Sequence, residues 1–239
     1  MKKTAKLIVM LMMMSFVAVC AYAGDLDPTE GPTTGTMHSL TEIYDLAQDT
    51  NTKVGAGSCT GAPVAKTGQT TSYATGDDGD LEKGVAIPNP RFTINLNDAD
   101  EFDGTVTDNL TGLIWLKNAN VAGSKNWAAA LTYCNALAAP AAGLTDGSVA
   151  GDWRLPNKLE LASLTNSAFY NPCISNTAGT GKWTADAPFS NVQSGYYWSG
   201  TTYAGSADYA WYVRMYYGYV YDSNKTDAYY VWPVRGGND

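Results

Sequence analysis

Histidine is nearly missing from this chain. The one copy, His38, lies in a stretch rich in Thr, Gly and Pro. A Ser-His-Asp or Cys-His relay would have to recruit it, and a zinc site of the usual Cys/His kind has almost nothing to build on. Cysteine is scarce as well. Cys20 sits at the end of an N-terminal apolar run, which leaves Cys59, Cys134 and Cys173, with no Cys-x-x-Cys pair. Three is an odd number, so in an oxidising compartment at least one thiol stays free or pairs between chains. Positive charge is short: 15 Lys and Arg stand against 23 Asp and Glu, a net charge of −8. An acidic surface repels the phosphates of nucleic acid and does not dock electrostatically on anionic lipid. After residue 23 no apolar run is long enough to cross a bilayer, so no transmembrane segment is expected in the mature chain.

The N-terminus carries an export pattern. Lys2, Lys3 and Lys6 precede an apolar run from Leu7 to Val19, and Ala21-Tyr22-Ala23 follows. This reads as a secretory signal, residues 1–23, cleaved before Gly24. The expected location is the periplasm, the cell surface or the medium. A lipid-carrying Cys20 is the alternative; Val19 argues against it, because such sites take a small residue there. Cleavage would remove three lysines and no acidic residue, making the balance more negative still.

Residues 24–63 are rich in Thr, Gly, Pro and Asp and read as a loosely ordered leader with one short helical piece, Leu40 to Leu46. Residues 64–104 are polar and turn-rich, with Tyr73, Leu81, Ile87, Phe92 and Ile94 as expected anchors on a folded rim. From Gly104 the pattern tightens. "TVTDNLTGLIWL" predicts two short strands around an Asn/Gly turn. "SKNWAAALTYCNALAAP" predicts a helix capped by Ser124, with Trp127, Leu131, Cys134 and Ala138 on one face and Pro140 as its stop. "DWRLPNKLELASLTN" predicts a second helix opened by an Asn157/Glu160 capping box, with Leu159, Leu161 and Leu164 behind it. Four strands follow: "YYWSGTTY", "AWYVRMY", "YVYD" and "YYVWPVR". Gly218 sits where a tight turn belongs. The expected class is α+β, with two helices packed on an antiparallel sheet and the seven tryptophans mostly in packing roles.

Several of these phrases, "DGTVTDNLTGLIWLKNAN", "ALTYCNAL", "DWRLPNKLELASL", "YYWSGTTY", "AWYVRMYYGYVY" and "VWPVRGG", resemble as an ordered set the Lcl C-terminal domain family, over roughly residues 64–239. The resemblance implies a bacterial exported domain with a C-type-lectin-like fold and long loops. "WRLP" and "VRGG" also resemble the formylglycine-generating-enzyme branch of that fold, where they are largely scaffold. Arg154 is accordingly read as an ion-pairing residue that pins a helix to the sheet, with ligand clamping the weaker alternative.

Eleven of the 16 tyrosines fall between Tyr196 and Tyr230. Tyr with Ser, Gly, Asn and Asp is the composition of adaptable binding surfaces, although Tyr is also simply a good strand residue. Alternation places Trp211, Val213, Met215 and Val220 inward. It places Tyr212, Tyr216, Tyr219 and Tyr221 outward, with Tyr217, Asp222, Ser223, Asn224, Thr226, Asp227 and Tyr229 on the adjoining turns. These eleven residues form the expected ligand-binding set, for a protein or glycan ligand on a cell or phage surface. The resemblance extends to variable proteins of diversity-generating retroelements, whose C-terminal surface is rewritten at template adenines. An AAC or AAT codon so altered can give Tyr, Asp, Ser, Asn, Thr, Ala or Gly, the types that dominate residues 216–229. Trp211 and Lys225 fall outside that set and read as fixed scaffold.

Other chemistry finds little support in the sequence. Asp98, Asp100 and Asp103, and Asp77, Asp78 and Asp80, form oxygen-rich turns without EF-hand spacing, so solvated turns are expected rather than calcium sites. No metal or other cofactor is expected. An enzyme of the formylglycine-generating type would need a late cysteine pair, and no cysteine follows Cys173. The expectation is a non-enzymatic binding protein; the alternatives are that enzyme and a structural envelope protein or adhesin. Cys134, on the apolar helix face, and Cys173, in the loop after the second helix, are expected to pair or lie close together, leaving Cys59 unpaired.

Overall fold

The structure, a computed structural model, describes residues 64–236 apart from Asp186. The export signal, the leader with its short helix, His38 and Cys59 lie outside the described residues. The "TVTDNLTGLIWL" stretch forms the predicted hairpin: β2 (Phe102–Asp108) pairs with β3 (Ile114–Leu116). The turn closes by Gly112 N–H donating to Asp108 O at 2.8 Å. β1 (Phe92–Leu96) and β9 (Val234–Arg235) complete a four-stranded antiparallel sheet in the order β1-β2-β3-β9. A second sheet runs β4-β8-β5-β6-β7 and contains β4 (Ser124–Lys125), β5 (Tyr196–Thr202), β6 (Tyr209–Arg214), β7 (Tyr219–Asn224) and β8 (Tyr229–Tyr230). Within it β5-β6-β7 is the expected antiparallel meander, whereas β8 joins β5 in parallel. The class is α+β.

Among the described residues three α-helices accompany the sheets, α1 (Asp78–Leu81), α2 (Trp127–Ala136) and α3 (Lys158–Ser163), with one 3-10 turn at Ala141–Gly143. The cap of α2 is Asn126, not Ser124. Ser124 and Lys125 are drawn into a ladder with β8, and Asn126 accepts from Ala129 N–H at 2.9 Å. The capping box of α3 forms as predicted: Asn157 accepts from the Glu160 N–H and Glu160 accepts from the Asn157 N–H. Of the three leucines placed behind it, Leu161 and Leu164 are buried and Leu159 is exposed. Along the rim only Phe92 is a core anchor. Ile87 is half-buried, and Tyr73, Leu81 and Ile94 face solvent, Ile94 on the outer edge strand of its sheet.

Two apolar clusters hold the unit. The larger draws on both sheets and on α3: Phe92, Val106, Trp115, Leu161, Leu164, Phe189, Tyr197, Val213 and Trp232. The smaller joins α2 to the second sheet through Ala130, Cys134, Leu155, Trp198, Ala210, Tyr212 and Val231. Cys134 and Cys173 do not pair. Both are free buried thiols, Cys134 in the smaller cluster and Cys173 in the larger. Each behaves as a small apolar side chain filling its own core. Burial pushes Cys134 up to about 12 and Cys173 up to about 11, so both stay protonated.

Candidate functional site

Register across the second sheet decides which tyrosines share a face. Tyr212 stands opposite Trp198 on one side and Tyr221 on the other, and Arg214 stands opposite Tyr196 and Tyr219. Directly paired residues point to the same side, so Tyr196, Trp198, Tyr212, Arg214, Tyr219 and Tyr221 lie on one face. Val213, Trp211 and Val220 occupy the reverse, towards α3 and the larger core.

That face is not uniform. At its β5/β8 end α2 covers it, and Tyr212 is only 9 % exposed. Its ring meets those of Tyr196 at 5.0 Å and Tyr229 at 5.2 Å, and Tyr229 in turn lies 4.6 Å from Trp198. Burial first, then the neighbouring Tyr229 and Tyr196 hydroxyls, push Tyr212 up to about 12, so it stays neutral. Tyr212 therefore belongs to the core. Simple alternation assumed a sheet with one wet face, whereas both faces of β6 are packed at this point.

The face opens towards β7, the edge strand. Tyr217, Tyr219 and Tyr221 are 53 %, 49 % and 52 % exposed. Tyr219 and Tyr221 stack at 5.8 Å, and Tyr217 meets Tyr219 edge-on at 6.2 Å. The turn that carries Tyr216 and Tyr217 ends in Gly218 at φ +80, a conformation that favours glycine. It is braced from outside, because Asn171 N–H donates to Tyr216 O and Cys173 N–H donates to Met215 O.

The remaining expected residues divide. Thr226 is exposed. Tyr216, Asp222, Ser223, Asn224, Asp227 and Tyr229 are half-buried. Ser223 donates to Asp227 at 2.6 Å and the Tyr229 hydroxyl bonds Ser223 at 2.9 Å, so this trio ties the β7–β8 loop down. Asn224 caps its own turn by accepting from Thr226 N–H at 3.0 Å. Of the residues read as inward, Val213 and Met215 are buried, while Trp211 and Val220 are half-buried. Trp211 lies under Lys158 at 4.0 Å and Lys225 lies over Trp127 at 4.0 Å, both scaffold contacts.

Sequence reasoning left out Tyr170, Tyr196 and Arg214. Arg214 has the same strand parity as Tyr212, a signal that was present. Tyr170, 65 % exposed with its ring 6.3 Å from Tyr216, comes from a distant loop that no local pattern connects to the sheet.

Three carboxylates of the acidic turns accept hydrogen bonds from the backbone. Asp77 accepts from Tyr73 N–H and Ala74 N–H, and those bonds hold its carboxyl below the usual range. Asp80 accepts from Gly76 N–H, and buried Asp103 accepts from Thr105 N–H and hydroxyl. No group of three or more His, Cys, Asp or Glu placed to hold a metal occurs among the described residues. No helix among them is long and apolar enough to cross a membrane. Arg154 plays the expected pinning part. It grips Glu160 with two bonds of 2.7 and 2.8 Å and donates to Gly236 O, joining α3 to the last strand.

The family model of the Lcl C-terminal domain matches residues 104–235, which take in both sheets but for β1 and the first residues of β2. The chain belongs to the Lcl C-terminal domain family. No curated protein matches it. Within this Lcl C-terminal domain the whole tyrosine face falls inside the matched segment, whereas α1 and β1 lie before it.

Proposed function

We propose that the chain is an exported binding protein that presents the β6–β7 tyrosine face on a C-type-lectin-like scaffold. The observation that carries this reading is the row Tyr217, on the β6–β7 turn, and Tyr219 and Tyr221, on β7, all about half exposed while Val220 on the reverse side packs against the larger core. Large aromatics held on a rigid element lose little conformational freedom on binding, which is what a contact surface needs. The family membership and the N-terminal export pattern support it. Formylglycine-type chemistry finds no support: no cysteine follows Cys173, and both described thiols are buried and protonated.

Diversification by a retroelement is part of the proposal. Its support is that Tyr217, Tyr219, Tyr221 and Thr226 are both exposed and of the adenine-derived types, while Trp211 and Lys225 make scaffold contacts. Genomic sequence decides this part. A near-copy of the terminal coding segment, differing at adenines and beside a reverse transcriptase gene, is expected; its absence removes diversification and leaves a fixed surface.

The binding face itself is tested by melting and binding together, on protein and glycan arrays. Changing Tyr217, Tyr219 and Tyr221 to Ala should leave Tm nearly unchanged, since exposed substitutions usually stay within about 0.5 kcal/mol each. It should abolish array binding, because aromatic anchors carry about 2 kcal/mol or more apiece. Tyr212→Ala should instead cost about 3 kcal/mol of stability by opening a cavity. A triple variant that unfolds, or that binds as the parent does, would show the face to be packing rather than contact surface.

A further inference from the structure

The chain has four arginines among the described residues, and three have carboxylate partners. Arg91 pairs with Asp108 at 2.7 Å, Arg154 with Glu160 at 2.7 Å and Arg235 with Asp146 at 3.0 Å. Arg214 has none among the described residues. Its guanidinium is held instead by rings: the Cζ lies 5.2 Å from the centre of Tyr196, 5.4 Å from Tyr216 and 5.0 Å from Tyr217. Nη1 donates to the Tyr217 hydroxyl at 2.8 Å. Nε is buried without an acceptor, and Nη2 has none among the described residues. A guanidinium whose Nε is buried without an acceptor is costly, and the surrounding rings and the one bond to the Tyr217 hydroxyl offset only part of that cost.

We propose that Arg214 is the anchor for a carboxylate carried on an exposed segment of a partner protein, with Tyr216, Tyr217 and Tyr219 as the rim of its seat. The proposal rests on the reading of this face as a binding surface and names what it grips. Because the Tyr217 hydroxyl accepts from Arg214, its own proton is free to donate outward. A carboxylate bound here can take a hydrogen bond from the guanidinium Nη2 and another from the Tyr217 hydroxyl. A planar guanidinium stiffened by ring stacking loses little freedom in that contact.

A protein segment fits better than a sugar. Gripping a pyranose calls for an open aromatic face, and here the rings turn towards one another: Tyr216 and Tyr217 meet at 80°, Tyr217 and Tyr219 at 75°, and Tyr219 stacks on Tyr221. Tyr with Arg is, moreover, the pairing enriched at protein interfaces. The net charge of −8 gives an acidic partner no long-range attraction, so the acid is recognised only at contact.

The test is nitrogen-15 NMR of the Arg214 Nε–H in the whole chain, assigned by its loss in Arg214→Gln. The probes are a capped hexaglutamate peptide, its hexaglutamine counterpart, an oligoglucuronate and sodium acetate. Hexaglutamate should shift the Nε–H signal and the Tyr217 and Tyr219 ring signals saturably, and hexaglutamine should not. Arg214→Gln should weaken the peptide by about tenfold or more, and Arg214→Lys should restore part of it, since charge returns without the fork. No saturable shift, or an equal response to hexaglutamine, overturns the proposal. So does a response to oligoglucuronate but not to peptide, which would assign the anchor to glycans. Acetate matching the peptide in affinity would mean an adventitious ion only. Array binding that survives Arg214→Gln but not the Tyr217/Tyr219/Tyr221 triple change would keep the binding face and discard the anchor.

Discussion

Tyr212 and Tyr221 face each other across β6 and β7, on the same side of one sheet, yet one is core and the other surface. What separates them is one strand's distance from α2. The same lesson holds for the thiols. Cys134 was expected on the apolar face of its helix and Cys173 in the loop after the second helix, close enough to pair, but the core has two parts and each part has one. Their shifts carry a sign. A thiol whose folded value is raised stabilises the fold fully below its ordinary value of 9.0, and that share is lost as pH rises towards about 11 for Cys173 and about 12 for Cys134. In the native protein near neutral pH, neither should react with a thiol reagent. Both should react at once in denaturant, with the two labels on separate peptides. A native-state disulfide by mass mapping, or fast labelling of the folded protein, would contradict the two-cluster core.

Among the elements, α3 is the most fully specified by its own sequence. Asn157, Glu160, Leu161 and Leu164 are in the positions that a capping box and a buried stripe demand, and the helix forms there. Desolvation alone would raise Glu160, but the Arg154 guanidinium and the Asn157 N–H outweigh it and hold the carboxyl below its ordinary value of 4.5. The pair is partly open to water, so Glu160→Gln should cost only about 1 kcal/mol near neutral pH. The sign follows from the lowered value: the contribution is complete above 4.5 and fades as pH falls through the folded-state value. Melting curves of the two proteins should thus converge in acid; a gap that persists there would point to packing instead. The hairpin, both longer helices and β5, β6 and β7 were legible in the same way, since each is written in a local period or turn; the single strand expected over "YYVWPVR" instead splits at Val231–Pro233 into β8 and β9, which join different sheets. The sidedness of the terminal sheet was not. Whether Tyr212 or Tyr221 is covered depends on where α2, some eighty residues earlier, comes to lie, and no period within β6 or β7 encodes that. The cap of α2 was misplaced for a related reason, because β8 claims Ser124 from a distance.

At the scale of the molecule, one buried ion pair links layers. Arg91 grips Asp108 by two bonds of 2.8 and 2.7 Å and also donates to Ser163 O, joining the first sheet to the end of α3. Asp108→Ala leaves that guanidinium buried beside only a carbonyl and should cost about 3–5 kcal/mol. Urea unfolding measures it, and a loss under about 1 kcal/mol would mean that water reaches Arg91. The last strands have a wider reach. β8 lies between β4 and β5 in one sheet, β9 closes the other, and Trp232 between them sits against Trp115, Phe189 and Tyr197 with its indole N–H on Leu116 O. Residues 229–235 are therefore the shared closing seam of both sheets. A growing chain cannot complete either one until residues 229–235 have emerged. A copy truncated before residue 229 would lose the strand that joins β4 to β5 and the one that closes the other sheet, and with them the frame that carries its tyrosines.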